Sequence, residues 1–547
     1  MAVKFGHAAA LFALCAMPIA CALDNGVGLA PAAGWSSWNV FAGRVTAEDV
    51  MGMADVMVAK GLDKLGYIYV AIDCGWNLHT RDAEGNLQPD PNKFPDGIGA
   101  VAKYVNGLGD GRLKLGLYTD HYTDDCCGGP GMKGHEDQDA AFYKANGIEY
   151  LKVDSCAGHA LTPRAMYDDF ANIRDALNRS GSPVYLNICP TLSVDDPSIT
   201  GLHPPCHGYS NYVYTSRGFA ALGHDVRHLA NSALVEYCNN ANNWGIVLTL
   251  VDAQAALADD DWSAPGSWVD ADMLTVGCND NPIPGTPCAY GEPMTVVEEY
   301  SQFSLWCIFA SNLMLGSDLR NVSASTLAII SNHEALGVNR DALGAHGRLV
   351  WQSGNATQNL TCAAGGTAAY DMHRANMTLS EAKEWCIGTS RCAGFAAELP
   401  FATSECTERA GQVLDLHFLD GWAMSRTGSN VSWTHWTAAP PTPPTLQIFA
   451  KPLMPTTQPG MKRSEGQGEG AIGRTRRAAV AVLNRGPTAA NVTVEWSMLS
   501  FGGAKWARRS SVRDLWAHEE RGVFEGSFAV EKLASHATAL LVVTEVM

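Results

Sequence analysis

The stretch Tyr150-Leu-Lys-Val-Asp154-Ser-Cys156 sets an acid at the end of a buried-type run, with a lysine two residues before it on the same strand face. An ammonium beside a carboxylate favours the ionised form that an attacking carboxylate needs. Retaining hydrolysis of a glycosidic bond uses two carboxyl groups roughly 5 Å apart, one attacking the anomeric carbon and the other protonating the leaving oxygen. Asp154 suits the first role. Taken alone, an Asp that ends a strand serves equally as a loop cap.

The elements that position it are legible in the surrounding pattern. From Gly34 to about Leu319, short runs apolar on both faces alternate with longer helical patterns, which predicts an α/β fold, a (β/α)8 TIM barrel. The clearest strands are Tyr67 to Asp73, Leu113 to Asp120, Ile148 to Asp154 and Val184 to Cys189. A barrel builds its chemistry at the C-terminal ends of such strands. After about Gly344, the runs Ala478 to Leu483, Asn491 to Trp496, Val512 to Trp516 and Ala537 to Thr544 predict a C-terminal antiparallel β-sandwich domain. Between Trp351 and Leu446 lies a segment of different character. It holds Cys362, Cys386, Cys392 and Cys406, a helical stretch Leu379 to Trp385 and a proline-rich exit from Ala438 to Thr445. Gln458 to Arg477 reads as a polar loop.

Composition narrows the class. In 547 residues, 46% are hydrophobic and 17% charged, as in a globular chain of more than one domain. A net charge of -18 argues against binding a phosphate backbone, so no nucleic acid is expected. Residues 1–22 read as a signal peptide: Lys4, an apolar run from Ala8 to Met17, then Ala20-Cys-Ala22. No other apolar run reaches membrane-spanning length. The 14 cysteines that remain of 16, with sequons at Asn178, Asn321, Asn355, Asn359, Asn376, Asn430 and Asn491, point to an oxidising compartment and disulfides. Without paired CxxC spacing, no metal is expected, and no cofactor.

Eight stretches in order carry a resemblance. They are Gly34-Trp-Ser-Ser-Trp-Asn39, Tyr69-Val-Ala-Ile-Asp73, Pro89 to Gly97, Leu115 to Asp120, Gly134 to Asp139, Tyr150 to Cys156, Trp268-Val-Asp-Ala-Asp-Met-Leu274 and Leu315 to Arg320. Val512 to His518 adds a ninth in the C-terminal domain. With these the chain resembles glycoside hydrolase family 27, the α-galactosidase and α-N-acetylgalactosaminidase family. The resemblance implies Asp154 as nucleophile, with Trp38, Asp73, Tyr118, Lys152 and Asp272 lining the pocket for a terminal sugar. An aromatic wall suits the apolar face of a sugar, and charged groups suit its hydroxyls. The plainer readings are a core Trp, a strand-end cap and a surface ion pair. The resemblance also implies a disulfide from Cys126 or Cys127 to Cys156, and one between Cys189 and Cys206. Cys278 and Cys288 flank an extra loop and are expected to bridge it.

The family's second carboxylate follows an arginine by four residues and precedes a helix. Here Gly223-His-Asp225-Val226 precedes a helical-looking run from Arg227 to Tyr237, which makes Asp225 the candidate acid/base. Its plainer reading is a helix N-terminal acid. Arg217 lies eight residues before Asp225, so either a four-residue insertion keeps this arginine in the pocket or the contact is missing. Two further departures concern the sugar: Cys74 stands where the family has a second Asp, and Pro190 follows Cys189 where α-galactosidases carry an acid.

The expected organisation is a signal peptide over 1–22, a barrel over 23–335, and a β-domain from 336–354 and 446–547. A Cys-containing insert occupies 355–445. Its stretches Leu379 to Cys386 and Arg391 to Phe395 resemble an apple/PAN module, with Cys386 to Cys392 and Cys362 to Cys406 as one of three pairings. The insert is expected to bind carbohydrate or protein, or to be structural. The expected function is removal of terminal α-galactosyl residues in the secretory pathway, outside the cell or in a lysosome or vacuole; a homodimer is left open. The rivals are an α-N-acetylgalactosaminidase or β-L-arabinopyranosidase, a carbohydrate-binding protein without turnover, and an adhesion protein led by the insert.

Overall fold

A computed structural model describes residues 25–156, 162–193, 212–214, 226–234, 242–255, 257, 262–290, 292–353, 361–364, 371–377, 392–398, 414–420, 433–437, 444–457 and 474–546. Eight parallel strands form the N-terminal barrel: β1 (Ala33–Ser36), β2 (Tyr69–Ala71), β3 (Lys114–Asp120), β4 (Tyr150–Asp154), β5 (Tyr185–Ile188), β6 (Ser232–Leu234), β7 (Trp268–Asp270) and β8 (Leu313–Leu315). Each of β1 to β6 pairs with the next in sequence, and β8 pairs with β1. Between β7 and β8 the ring closes just past β7, where Leu274 N–H donates to Met314 O at 2.9 Å and Gly316 N–H to Leu274 O at 3.0 Å.

All four strands read most clearly from the sequence are present. Burial on both faces explains why they read as continuous apolar runs. The run 227–237 is a correction: Ser232–Leu234 within it is a barrel strand. Leu229, Ala230, Ala233 and Leu234 have helical spacing, but the ring needs a strand here to join β5 to β7, and the ladder hydrogen bonds decide.

Along the barrel axis the inward side chains form layers. Tyr69, Tyr150 and Tyr185 fill the lower one, with the Tyr150 and Tyr185 rings stacked 5.6 Å apart. Gly116 admits the Tyr150 ring, since a Cβ there would lie 2.8 Å from it. Gly34 is under a harder constraint: its Cβ would lie 2.0 Å from the backbone oxygen of Tyr69. Above the tyrosines come Lys152, Asn187 and Asp270, and then the strand ends.

The C-terminal sheet has six antiparallel strands in the order Arg348–Gln352, Leu446–Thr457, Arg474–Asn484, Thr538–Glu545, Arg509–Asp514, Glu519–Glu525. The pair Ala490–Glu495 and Ser527–Leu533 packs with it around Val480, Val482, Val494 and Trp496, as in a β-sandwich. Residues 474–477, read as loop, begin a strand here. The insert contributes a separate five-stranded antiparallel sheet. Its expected helix at Leu379 to Trp385 lies outside the described residues.

The helix Val296–Phe309, started by a capping box of Thr295 and Glu298, has an exposed first turn at Val296 and Val297 and is buried on all sides from Ser301 onward, between barrel and sandwich. Trp516 donates its indole N–H to Ser304 Oγ at 2.9 Å, and Phe309 meets Phe449 edge-on at 5.2 Å. Arg485 clamps Asp252 across the same junction.

Candidate active site

The C-terminal ends of β2, β3, β4 and β7 bring five polar side chains to one mouth. Register fixes two of them: Tyr118 stands opposite Lys152 across the β3–β4 ladder. The Tyr118 hydroxyl donates to Asp154 Oδ2 at 3.1 Å. Lys152 Nζ donates to Asp73 Oδ2 at 3.0 Å and lies 3.7 Å from Asp154 Oδ2. The same ammonium sits 5.2 Å from the Tyr118 ring centre. Asp73 and Asp154 are buried, at 4% and 6% exposure, so their negative charges depend on this shared cation.

Each carboxylate is also oriented by its own backbone. Ser155 N–H donates to Asp154 Oδ1 and Cys74 N–H to Asp73 Oδ1, both at 2.9 Å. Burial by itself would lower the Lys152 ammonium; the charges of Asp73 and Asp154 overcome it and hold it well above its ordinary value. Asp272 lines the same cavity with Ser36, Asp73, Lys152, Asn187 and Asp270. Burial, then the neighbouring Asp270 charge, push the Asp272 carboxyl up to about 7. Trp38, just after β1, packs at the mouth against a cluster that includes Tyr69, Met273 and Met314.

Two disulfides fasten this mouth. Cys126 bridges Cys156, two residues past Asp154, and Cys74 bridges Cys127. The doubled cysteine thus serves two partners, and Cys74 is committed to a bridge. The Tyr118 hydroxyl also reaches Cys126 Sγ at 2.6 Å. Asp120, Cys126 and Cys156 form a close set of metal-type ligands, but both sulfurs are taken by their own bond. Cys278 and Cys288 bridge the extra loop.

The expected pairing of Cys189 with Cys206 needs correction. Cys189 is a buried free thiol, on the strand face of Asn187, whose Oδ1 lies 3.8 Å from its sulfur. That face is turned to the barrel interior, and burial pushes the thiol well up. Asp225, Arg217, Cys206 and Cys386 lie outside the described residues, and of Cys392 only the backbone is described.

Sequence reasoning missed Asp270 and Asn187. Both were marked by period-two spacing, each two residues before a position already singled out, Asp272 and Cys189. Asn312, which meets them, carries no such sign. Among the described residues, no helix is long and apolar enough to cross a membrane.

Comparison with known proteins places these features in a context. Residues 30–341 match the family described as alpha galactosidase A, and residues 468–543 the alpha galactosidase C-terminal beta sandwich domain. Alpha-galactosidase A of Cellvibrio japonicus is 35% identical over 317 residues, covering 57% of this chain and 68% of that protein. Alpha-galactosidase 3 of Arabidopsis thaliana is 34% identical over 332 residues, covering 61% and 65%. Among solved structures, alpha-galactosidase I of Mortierella vinacea superposes with a TM-score of 0.62 at 21% identity, over 95% of this chain and 98% of that one. A GH27 β-L-arabinopyranosidase of Geobacillus stearothermophilus gives a TM-score of 0.59 at 18% identity, over 95% and 97%. At such identities the two structures speak for the fold alone.

Proposed function

The chain belongs to the melibiase family of glycoside hydrolases, the alpha galactosidase A family, and on that premise we propose that it removes terminal α-galactosyl residues from oligosaccharides or glycoconjugates by double displacement. The observation that carries the reading is the sharing of one cation, Lys152, between two buried carboxylates at the barrel mouth. Asp154 attacks the anomeric carbon with Oδ2 while Asp225 protonates the leaving oxygen. A glycosyl-enzyme ester forms and the aglycone departs. Asp225 then takes a proton from water, water attacks the same carbon, and Asp154 is released as carboxylate with configuration retained.

Tyr118, by its hydrogen bond, and Lys152, by its nearby charge, orient the Asp154 carboxylate. Asp73 and Asp272 bind sugar hydroxyls, Trp38 covers an apolar sugar face, and Arg217 binds substrate. The family's relatives support the galactosyl preference. Residues 1–22 and the sequons support entry into the secretory pathway, with action outside the cell or in a lytic organelle.

The test is hydrolysis of nitrophenyl α-galactopyranoside by the full chain. Asp154→Asn should lower kcat by about 10³-fold or more, roughly 4 kcal/mol of transition-state stabilisation. The first-formed sugar should be the α-anomer by proton NMR. Absence of turnover by the unmutated protein on α-galactoside, α-N-acetylgalactosaminide and β-L-arabinopyranoside alike would sink the enzymatic reading and favour a sugar-binding protein.

A further inference from the structure

A second carboxylate, Asp270, lies beneath Asp272, and the double displacement makes no use of it. It ends β7 at 6% exposure and lines the same cavity as Asp73 and Lys152. Its Oδ2 accepts hydrogen bonds from Asn187 Nδ2 at 2.7 Å and Asn312 Nδ2 at 3.0 Å. Its Oδ1 accepts the backbone N–H of Asp272 at 2.9 Å. Both asparagine amides also donate to Ser232 Oγ, at 2.8 and 2.9 Å. Asn312 is oriented in turn, because its Oδ1 accepts from Ala32 N–H and the Tyr185 hydroxyl, each at 3.0 Å.

Asp272 has an unusual backbone. Its φ is 68°, in the left-handed region that non-glycine residues enter uncommonly, Asp more readily than most. The peptide is gripped from both sides: Asp270 takes its N–H, and the Trp306 indole donates to its C=O at 2.6 Å. This conformation returns the Asp272 carboxyl to the cavity, where Met273 N–H donates to its Oδ1 at 2.7 Å.

We propose that Asp270 is a positioning residue, which, held by Asn187 and Asn312, fixes Asp272 in its left-handed conformation and so sets the enzyme's grip on a sugar hydroxyl. The inference rests on the reading of Asp272 as a sugar contact. The titratable and charged groups facing Asp272 are Asp270 at the end of β7, Lys152 and Asp154 on β4, and the Cys189 thiol just past β5. Asp270 therefore has a second effect on the same residue. Its negative charge, added to burial, keeps Asp272 protonated below neutrality and able to donate to the hydroxyl.

The experiment is steady-state hydrolysis of nitrophenyl α-galactopyranoside by full-length Asp270→Asn and Asp272→Asn, from pH 4 to 8. Asp270→Asn should raise KM about tenfold with kcat within about threefold, as for loss of one interaction made equally in ground and transition states. It should also move the rise of KM with pH to lower pH, since the like charge is gone. The paired variant Asp270→Asn with Asn312→Asp restores a donor facing an acceptor and should recover part of the KM. If Asp270→Asn does not fold, Asn187→Ala, which removes one of the two amide donors, should raise KM about threefold. An unchanged KM, or a drop in kcat alone, in whichever of these two is measured overturns the inference while Asp272→Asn still raises KM. An unchanged KM in Asp272→Asn overturns the sugar-contact reading itself and this inference with it.

Discussion

Lys152 Nζ lies 3.7 Å from Asp154 Oδ2, two residues away on the same strand and the same face, and is simultaneously bonded to Asp73 from the next strand but one. One ammonium thus neutralises two carboxylates that burial would otherwise penalise. Lys152→Gln leaves both uncompensated, which typically costs about 3–5 kcal/mol when a buried partner is removed. The expected outcome is a fall in kcat/KM of at least about 10²-fold, together with a lower thermal midpoint at neutral pH. Kinetics and calorimetry on the same preparation check both.

The Cys126 to Cys156 bridge spans 30 residues and ends two residues past Asp154. On the chain-entropy estimate it contributes about 3–4 kcal/mol by restricting the unfolded chain. Replacing both cysteines with serine should lower stability by about that amount in urea titration and should lower kcat as well, because β4 loses the tie beyond its nucleophile. Unaltered kcat in protein that remains folded would mean the bridge serves stability alone.

Asp272 carries a carboxyl pushed up to about 7 from an ordinary 3.8, first by burial and then by Asp270. A raised acid binds its proton more tightly in the folded state, so folding loses stability as pH rises from about 4 to about 7. Asp272→Asn removes a group that becomes costly when ionised. Its thermal midpoint should therefore exceed that of the unmutated protein at pH 7.5, and the gain should vanish below pH 4. A gain independent of pH would contradict this assignment.

Glu334 joins the barrel to the sandwich. Hydrogen bonds from Arg513, and next from His518, hold its carboxyl down to about 2. A lowered acid contributes stability that is complete above its ordinary value near 4.5 and is lost as pH falls through about 2. Glu334→Gln should reduce stability at pH 7 and flatten the acid limb of the stability curve in that window. Thermal melts from pH 2 to 7 measure it.

Much of the fold was legible because barrel strands are short apolar runs with fixed spacing. Tyr67 to Asp73 and Ile148 to Asp154 could hardly be read otherwise. The segment 227–237 was misread because a three-residue strand carries too little period to outweigh helical spacing in its neighbours; only its partners β5 and β7 decide it. Cys189 was misassigned for a related reason. A thiol at a strand end faces a loop or the barrel axis according to the register of the whole sheet, which local sequence does not contain.

The sequence by itself determined the chemistry: an acid two residues after a lysine on one strand face, in a chain whose ordered stretches belong to one family of hydrolases. Those are facts of order and period, and order and period are written in the chain. The tertiary structure alone decided which sulfur takes which partner, that Lys152 serves Asp73 as well as Asp154, and that Asp270 stands under Asp272 between Asn187 and Asn312. Asn187 and Asn312 are 125 residues apart in sequence (312 − 187). Closing the parallel ring brings them onto one carboxylate, and no local pattern encodes a contact made by closure.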